Sequence, residues 1–158
     1  MKTNQGQIDQ IIIDAVDSLL TFENTCAKAY VKIAKAAFAP ELAKALDPEQ
    51  TNIKSHIQRL KLIKKLFPIK SGVALPILSI DTPKFSSTKT AIQDLMIMHY
   101  ALQLQGLKIN QYHFLLALSI LIEQEHAIPL MEQCISENND TNTWIKRILD
   151  YTAAGMLK

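Results

Sequence analysis

The chain has 158 residues, of which 48% are hydrophobic and 20% are charged, and its formal net charge is +2. This length corresponds to one domain that folds without a disulfide or a metal, and the charge balance indicates no strongly charged partner. Acidic residues on both sides of the apolar run 11–13 exclude a signal-peptide core or a membrane span, so we predict a cytoplasmic protein without a membrane partner. Cys26 and Cys134 form no Cys-x-x-Cys motif, and we assign them no redox role.

The first half of the chain predicts two helices. Over residues 6–38 apolar side chains recur in steps of three and four, and Pro40 closes this first helix. A second helix is predicted over residues 40–66, with a kink or restart near Asp47, which can act as an N-cap before Pro48. Prolines and a glycine then punctuate the segment after Pro68, which predicts a crossover connection lying on the helices.

The second half also predicts two helices, over residues 87–126 and 129–154, and Gly106 is a candidate position for a bend in the first of them. Four long helices joined by one long middle connection are typical of an all-α, ferritin-like four-helix bundle. We therefore expect a single domain over residues 1–158.

Polar side chains on the apolar stripes are the candidate functional residues of such a bundle. Glu23 lies on the stripe of the first helix, and Asn52 and His56 share a face of the second, one turn after Glu49. The corresponding residues of the third and fourth helices are Asn110, His113, Glu137, Asn138 and Asn142. Rows of this kind either bind a metal or form a hydrogen-bonded polar layer. The asparagines favour the polar layer, because a neutral amide cannot compensate the charge of iron or manganese as a carboxylate does.

Two segments resemble the family of small bacterial ferritin-like proteins typified by YciE and YciF. Residues 23–42, ENTCAKAYVKIAKAAFAPEL, are similar to the family segment that leads into its second helix, and residues 56–60 resemble its His-x-x-Arg-Leu signature. A second block runs from about Tyr100 through Tyr112 to Trp144. The resemblance implies a ferritin-like fold, a homodimer and a connection with stress.

The resemblance also implies that the metal site of the family is degenerate here. Glu23 and His56 are retained, whereas acidic residues of the family fall on Asn52, Asn110, Asn138 and Asn142. We therefore expect no metal cofactor and no catalysis. The alternative is a rearranged iron or manganese site, in an oxidase or an iron-handling protein, whose candidate ligands are Glu23, Glu49, His56, His113 and Glu137.

Two surface features bear on partners. Lys61, Lys64, Lys65 and Lys70 form a basic patch with Arg59, but no aromatic platform accompanies them, so a solvated helix end is favoured over nucleic-acid binding.

Apolar residues in excess of one stripe, as in segments 95–98 and 115–121, indicate a second buried face. Self-association explains that face, and packing beneath the crossover is the competing explanation.

Overall fold

A computed structural model describes residues 4–70 and 75–157. These described residues contain five helices: α1 (Asn4–Ala36), α2 (Pro40–Ala45), α3 (Ile53–Lys65), α4 (Ala91–Leu121) and α5 (Ile128–Met156). No strand occurs in these described ranges, and the predicted all-α class is confirmed. None of the helices in the described part of the chain is long and apolar enough to cross a membrane.

The second predicted helix is divided into α2 and α3 by a turn over residues 46–52. The break falls where Asp47 and Pro48 predict it, and Asp47 Oδ1 accepts a hydrogen bond from the Glu49 backbone N–H at 2.8 Å. However, α3 begins at Ile53 rather than at Pro48. Asn52, just before α3, has φ 57° and ψ 23°, in the left-handed region. Asparagine tolerates this conformation better than most residues, which gives Asn52 a backbone role.

The crossover packs on the helices as predicted for its described part, because Leu75, Leu78, Ile80 and Phe85 are half-buried against the core. Residues 71–74 of the predicted crossover lie outside the described ranges. Helix α4 starts at Ala91 instead of residue 87. Its N-cap is Thr90, whose side chain accepts a hydrogen bond from the Gln93 backbone N–H.

Gly106 does not divide α4, which is continuous to Leu121. A Cβ added at Gly106 would meet no atom within 4 Å, so the glycine is not required there for close packing. The helix ends in a turn in which the Gln124 N–H donates to the Ser119 carbonyl at 2.9 Å, and Glu123 has φ 56°. Helix α5 then begins with Pro129 in its first turn.

One core joins the helices. Helix α1 packs against both α3 and α4, and α5 packs mainly against α4 with smaller contacts to α2 and α3. The buried apolar residues of α1 recur at helical spacing, from Ile12 through Leu19 to Cys26 and Ile33. Because the stripes of four helices meet in this core, any polar side chain on them is brought close to polar side chains of the other helices.

Candidate functional site

A carboxylate, Glu23, lies in the centre of the core with its side chain fully buried. It occupies the apolar stripe of α1 between Leu19 and Cys26, so burial of that stripe buries the carboxylate as well. A buried carboxylate without a partner is costly. The groups that surround Glu23 therefore decide what this centre can do.

The cation nearest to Glu23 is the ammonium group of Lys108 on α4. Lys108 Nζ lies 3.5 Å from Glu23 Oε1, and both side chains are completely buried. The same Nζ is 5.4 Å from the centroid of the Tyr30 ring, within the range of cation–π attraction. The Tyr112 hydroxyl, one turn further along α4, donates to Glu23 Oε1 at 3.4 Å. The charge of Glu23 is thus balanced by a side chain of the protein itself.

His56 connects Glu23 to a second ion pair. Its Nδ1 lies 3.9 Å from Glu23 Oε2, and its Nε2 lies 3.0 Å from Glu137 Oε2. Arg59, one turn after His56 on α3, holds Glu137 with both guanidinium nitrogens; its Nη2 donates to Glu137 Oε1 at 3.0 Å. The centre therefore contains two carboxylates, one lysine, one arginine and one imidazole between them.

Amide side chains form a separate branch of this buried network. Gln105 Nε2 donates to both the backbone oxygen and the side-chain Oδ1 of Asn138, each at 3.1 Å. Asn138 Nδ2 donates to the Cys134 carbonyl at 2.8 Å, and the Tyr30 hydroxyl donates to Gln105 Oε1. The Tyr30–Gln105 and Gln105–Asn138 contacts join α1, α4 and α5, whereas the Asn138–Cys134 bond lies within α5.

Both central carboxylates are ionised at neutral pH. Burial raises the pKa of Glu23, but the nearby Lys108 ammonium and the His56 imidazole outweigh that effect, and the pKa lies below its ordinary value. For Glu137, burial also raises the pKa, and the hydrogen bonds and charge of Arg59 lower it further than burial raises it. Both carboxylates are therefore negatively charged at neutral pH, and each lies beside a basic side chain.

The two cysteines border the centre as unreactive thiols. Burial raises the pKa of Cys26 to about 12 and that of Cys134 to about 11. Since the thiolate is the nucleophile, a thiol with such a pKa is a poor nucleophile near neutral pH. Burial likewise raises the pKa values of Tyr30 and Tyr112 well above the ordinary range, so both hydroxyls are protonated donors.

The structure brings together only some of the residues that the sequence nominates. Glu23, His56, Glu137 and Asn138 share the centre. Asn52 and Asn142 are half-buried, and Asn52 lies in the turn before α3. Glu49 is exposed in the same turn, so it does not join His56.

The prediction that Asn110 and His113 lie on the inward face of α4 is wrong, because both residues are exposed. The inward face of α4 carries Gln105, Lys108 and Tyr112 instead. The sequence reasoning missed Lys108 and Gln105 completely. A signal existed, since Leu104, Lys108, Tyr112 and Leu115 follow one another at helical spacing, and a lysine in such an apolar stripe is unusual.

These observations define the class: an all-helical protein with a buried ionic and amide centre. The family model described as a domain of unknown function, DUF892, matches residues 7–156, and the chain belongs to this family. Its fold is similar to the crystal structure of the E. coli stress protein YciF, with a TM-score of 0.77, 18% sequence identity, and coverage of 98% of this chain and 99% of that chain. No curated protein matches the sequence. The predicted YciF-like family is thereby confirmed.

Proposed function

We propose that this protein is a non-catalytic, ferritin-like four-helix bundle in which an internal cation, Lys108, takes the place of a bound metal. The observation that carries the proposal is the buried Lys108 ammonium 3.5 Å from Glu23. In this arrangement α1, α3, α4 and α5 are the four long elements, and α2 leads into α3. The protein acts as a homodimeric binding or protective component, and the description of YciF as a stress protein supports a role under stress.

The donor set argues against a metal at this centre. A divalent ion needs uncompensated carboxylate oxygens, whereas Glu23 already pairs with Lys108 and Glu137 with Arg59. An ion placed beside Glu23 would also face the Lys108 ammonium at short range in a medium of low polarity. Among residues 4–70 and 75–157 no group of three or more His, Cys, Asp or Glu side chains could hold a metal ion. We therefore derive no metal chemistry for this site.

The metal content of the purified protein tests this proposal. Protein expressed with added iron and manganese should carry far less than one equivalent of either metal in elemental analysis. Lys108→Glu should gain affinity for a divalent ion, because it would place a second carboxylate beside Glu23 and His56 and remove the ammonium group that now faces Glu23. Its melting temperature should then rise with added metal, as expected for a ligand that binds only the folded state.

Lys108→Gln is the matched control, since it removes the same charge without adding a carboxylate, and its melting temperature should not respond to metal. A stoichiometric metal in the unmodified protein that is lost in Glu23→Ala or His56→Ala would overturn the proposal. That result would favour the alternative, an iron-handling protein or oxidase with a rearranged site.

The outward face of α4 supports the homodimer. The only Asp, Glu, Lys or Arg residues of α4 are Asp94 and Lys108, and both are buried, so the whole exposed face of this helix of 31 residues carries none of these charges. Large apolar side chains on that face are well exposed, with Ile92 and Leu121 each 64% accessible. Exposed apolar side chains of this size on an uncharged helix face are typical of a surface that another protein surface covers.

The same face is self-complementary. Eight of its exposed residues form pairs placed symmetrically about the centre of α4, near Gly106: Ile92 corresponds to Leu121, Met96 to Ala117, His99 to Phe114 and Gln103 to Asn110, whereas the exposed His113 and Ile120 have no exposed counterpart. Two copies crossing antiparallel at Gly106 would therefore pair apolar ends with apolar ends and an amide with an amide. In an interface between identical copies related by a twofold axis, a residue of one copy contacts a second residue of the other copy, and that second residue makes the reciprocal contact.

The dimer can be tested by measuring mass in solution with light scattering. The unmodified protein should have twice the mass of one chain, and Met96→Glu should shift it toward the monomer, because a carboxylate would be buried at the apolar part of the interface. Val31→Glu, at an exposed position of α1, is the control and should leave the mass unchanged. A monomeric unmodified protein, or a dimer that survives Met96→Glu, would contradict this assignment.

A further inference from the structure

Four exposed lysines surround the C-terminal end of α3: Lys61, Lys64, Lys65 and Lys70. We refer to this surface as the basic end. Lys64 Nζ pairs with Asp17 at 2.6 Å, and in the described ranges no carboxylate lies within salt-bridge distance of the other three lysines. Because the formal net charge of the chain is +2, the residues outside these four lysines have a net charge of −2. The basic end is thus a local excess of positive charge.

Exposed apolar surface lies between these lysines. One open groove is lined by Phe67, Pro68 and Ile69 together with all four lysines. A second groove shares Lys65 with the first, and its other lining residues are Leu62, Leu66, Glu125, His126, Pro129 and Leu130. Leu62 is 51% and Ile69 40% accessible. Both grooves are wide open, whereas sites for small molecules enclose most of their ligand.

We propose that the basic end binds the surface of membranes that contain anionic lipids. Lysines near such a surface are attracted by its negative potential, and exposed apolar side chains between them enter the boundary between head groups and acyl chains. The dipole of α3 accounts for lysines at its end but not for the exposed Leu62 and Ile69 among them. The basic end contains no stack of exposed aromatic rings, which argues against single-stranded nucleic acid.

This proposal revises the expectation of no membrane partner without requiring a membrane-spanning helix. From the sequence alone the lysines are interpreted as a solvated helix end. Leu62, Ile69 and Leu130 are separated along the chain, so the sequence does not show that they lie near the lysines. The binding concerns only the surface of the bundle and is independent of the central Glu23–Lys108 pair.

Sedimentation of the full chain with lipid vesicles tests the proposal. At low ionic strength the protein should bind vesicles rich in phosphatidylserine and remain in the supernatant with pure phosphatidylcholine vesicles. Each lysine near the surface contributes roughly a fivefold increase in affinity. Lys61→Glu combined with Lys65→Glu should therefore weaken binding by at least about twentyfold. Ile69→Ser should weaken binding to a smaller extent, and added salt should weaken binding of the unmodified protein.

The matched control is Lys32→Glu combined with Lys35→Glu. It makes the same change of net charge at exposed positions near the C-terminal end of α1. Asp17 on α1 pairs with Lys64 of the basic end. Lys32 lies roughly 20 Å from Asp17 along the axis of α1, because an α-helix rises about 1.5 Å per residue. The control should retain binding. Equal binding to both kinds of vesicle, equal loss in the two double variants, or binding of an oligonucleotide or acidic protein but not of vesicles would overturn the proposal. Circular dichroism of each variant would identify any loss of fold, and Ile69→Ser would then provide an independent test.

Discussion

Replacing Lys108 with methionine should lower the free energy of unfolding at neutral pH by about 3–5 kcal/mol. The substitution keeps most of the aliphatic volume but leaves the Glu23 carboxylate buried without the ammonium that now lies 3.5 Å away. Removing one partner of a buried pair is more costly than removing both, because the remaining charge loses its compensation. Denaturant unfolding monitored by circular dichroism would measure the change.

The double variant Lys108→Met with Glu23→Gln distinguishes this charge effect from a packing defect. If the carboxylate is the cause, the double variant should recover most of the lost stability, since neither charge remains in the core. A double variant that is as unstable as the sum of the two single variants would contradict the pairing. Lys54→Met, at an exposed position of α3, serves as the control and should be nearly neutral.

The pH dependence should reverse sign between the unmodified protein and Lys108→Met. In the unmodified protein the pKa of Glu23 is lowered on folding, so its contribution is complete above the unfolded pKa and is lost as the pH falls through the folded pKa. Without Lys108, burial is opposed by less positive charge and should raise the pKa of Glu23 above its unfolded value. The free energy of unfolding of the variant should therefore increase as the pH is lowered from about 7 to about 5. Over the same range the free energy of unfolding of the unmodified protein should stay the same or decrease.

The second large effect is expected at Asp94, which joins α4 to the corner between α1 and α2. Asp94 is buried, and its Oδ1 and Oδ2 accept hydrogen bonds from the backbone N–H groups of Phe38 and Ala39 at 2.7 and 2.9 Å. Asp94→Ala should lower the free energy of unfolding by about 2–4 kcal/mol, because two donors to a charged group lose their acceptor. Thermal and denaturant unfolding would measure the change.

Asp94→Asn should have an intermediate effect, since the amide retains one acceptor oxygen but replaces the other by a donor. Asp81→Ala, at an exposed position in the crossover, is the control and should change stability little. If Asp94→Ala were as mild as this control, water would be replacing the carboxylate at the corner, and the proposed connection between α4 and the corner would be wrong.

The sequence predicted several parts of the centre correctly for a local reason. Burial of Glu23 and His56 follows from their places on helical stripes that are apolar on one side only, and the break near Asp47 follows from the Asp-Pro pair. The asparagine at position 138 was also expected to be buried. The sequence did not predict the backbone role of Asn52, because its conformation depends on the turn that precedes α3.

The sequence by itself determined the all-α class and the inward stripes of α1 and α3, because helical periodicity is a local property that one amphipathic segment displays without its neighbours. Only the tertiary structure decided the rotation of α4. Apolar and polar residues both occur around the whole circumference of this helix, so its sequence does not distinguish a face with Asn110 and His113 from the observed inward face with Lys108 and Tyr112. The tertiary structure also decided which charges pair, since Glu23 and Lys108 are far apart in sequence and meet only where α1 and α4 pack together. Burial of Glu23 requires a compensating cation, and packing determines which residue supplies it.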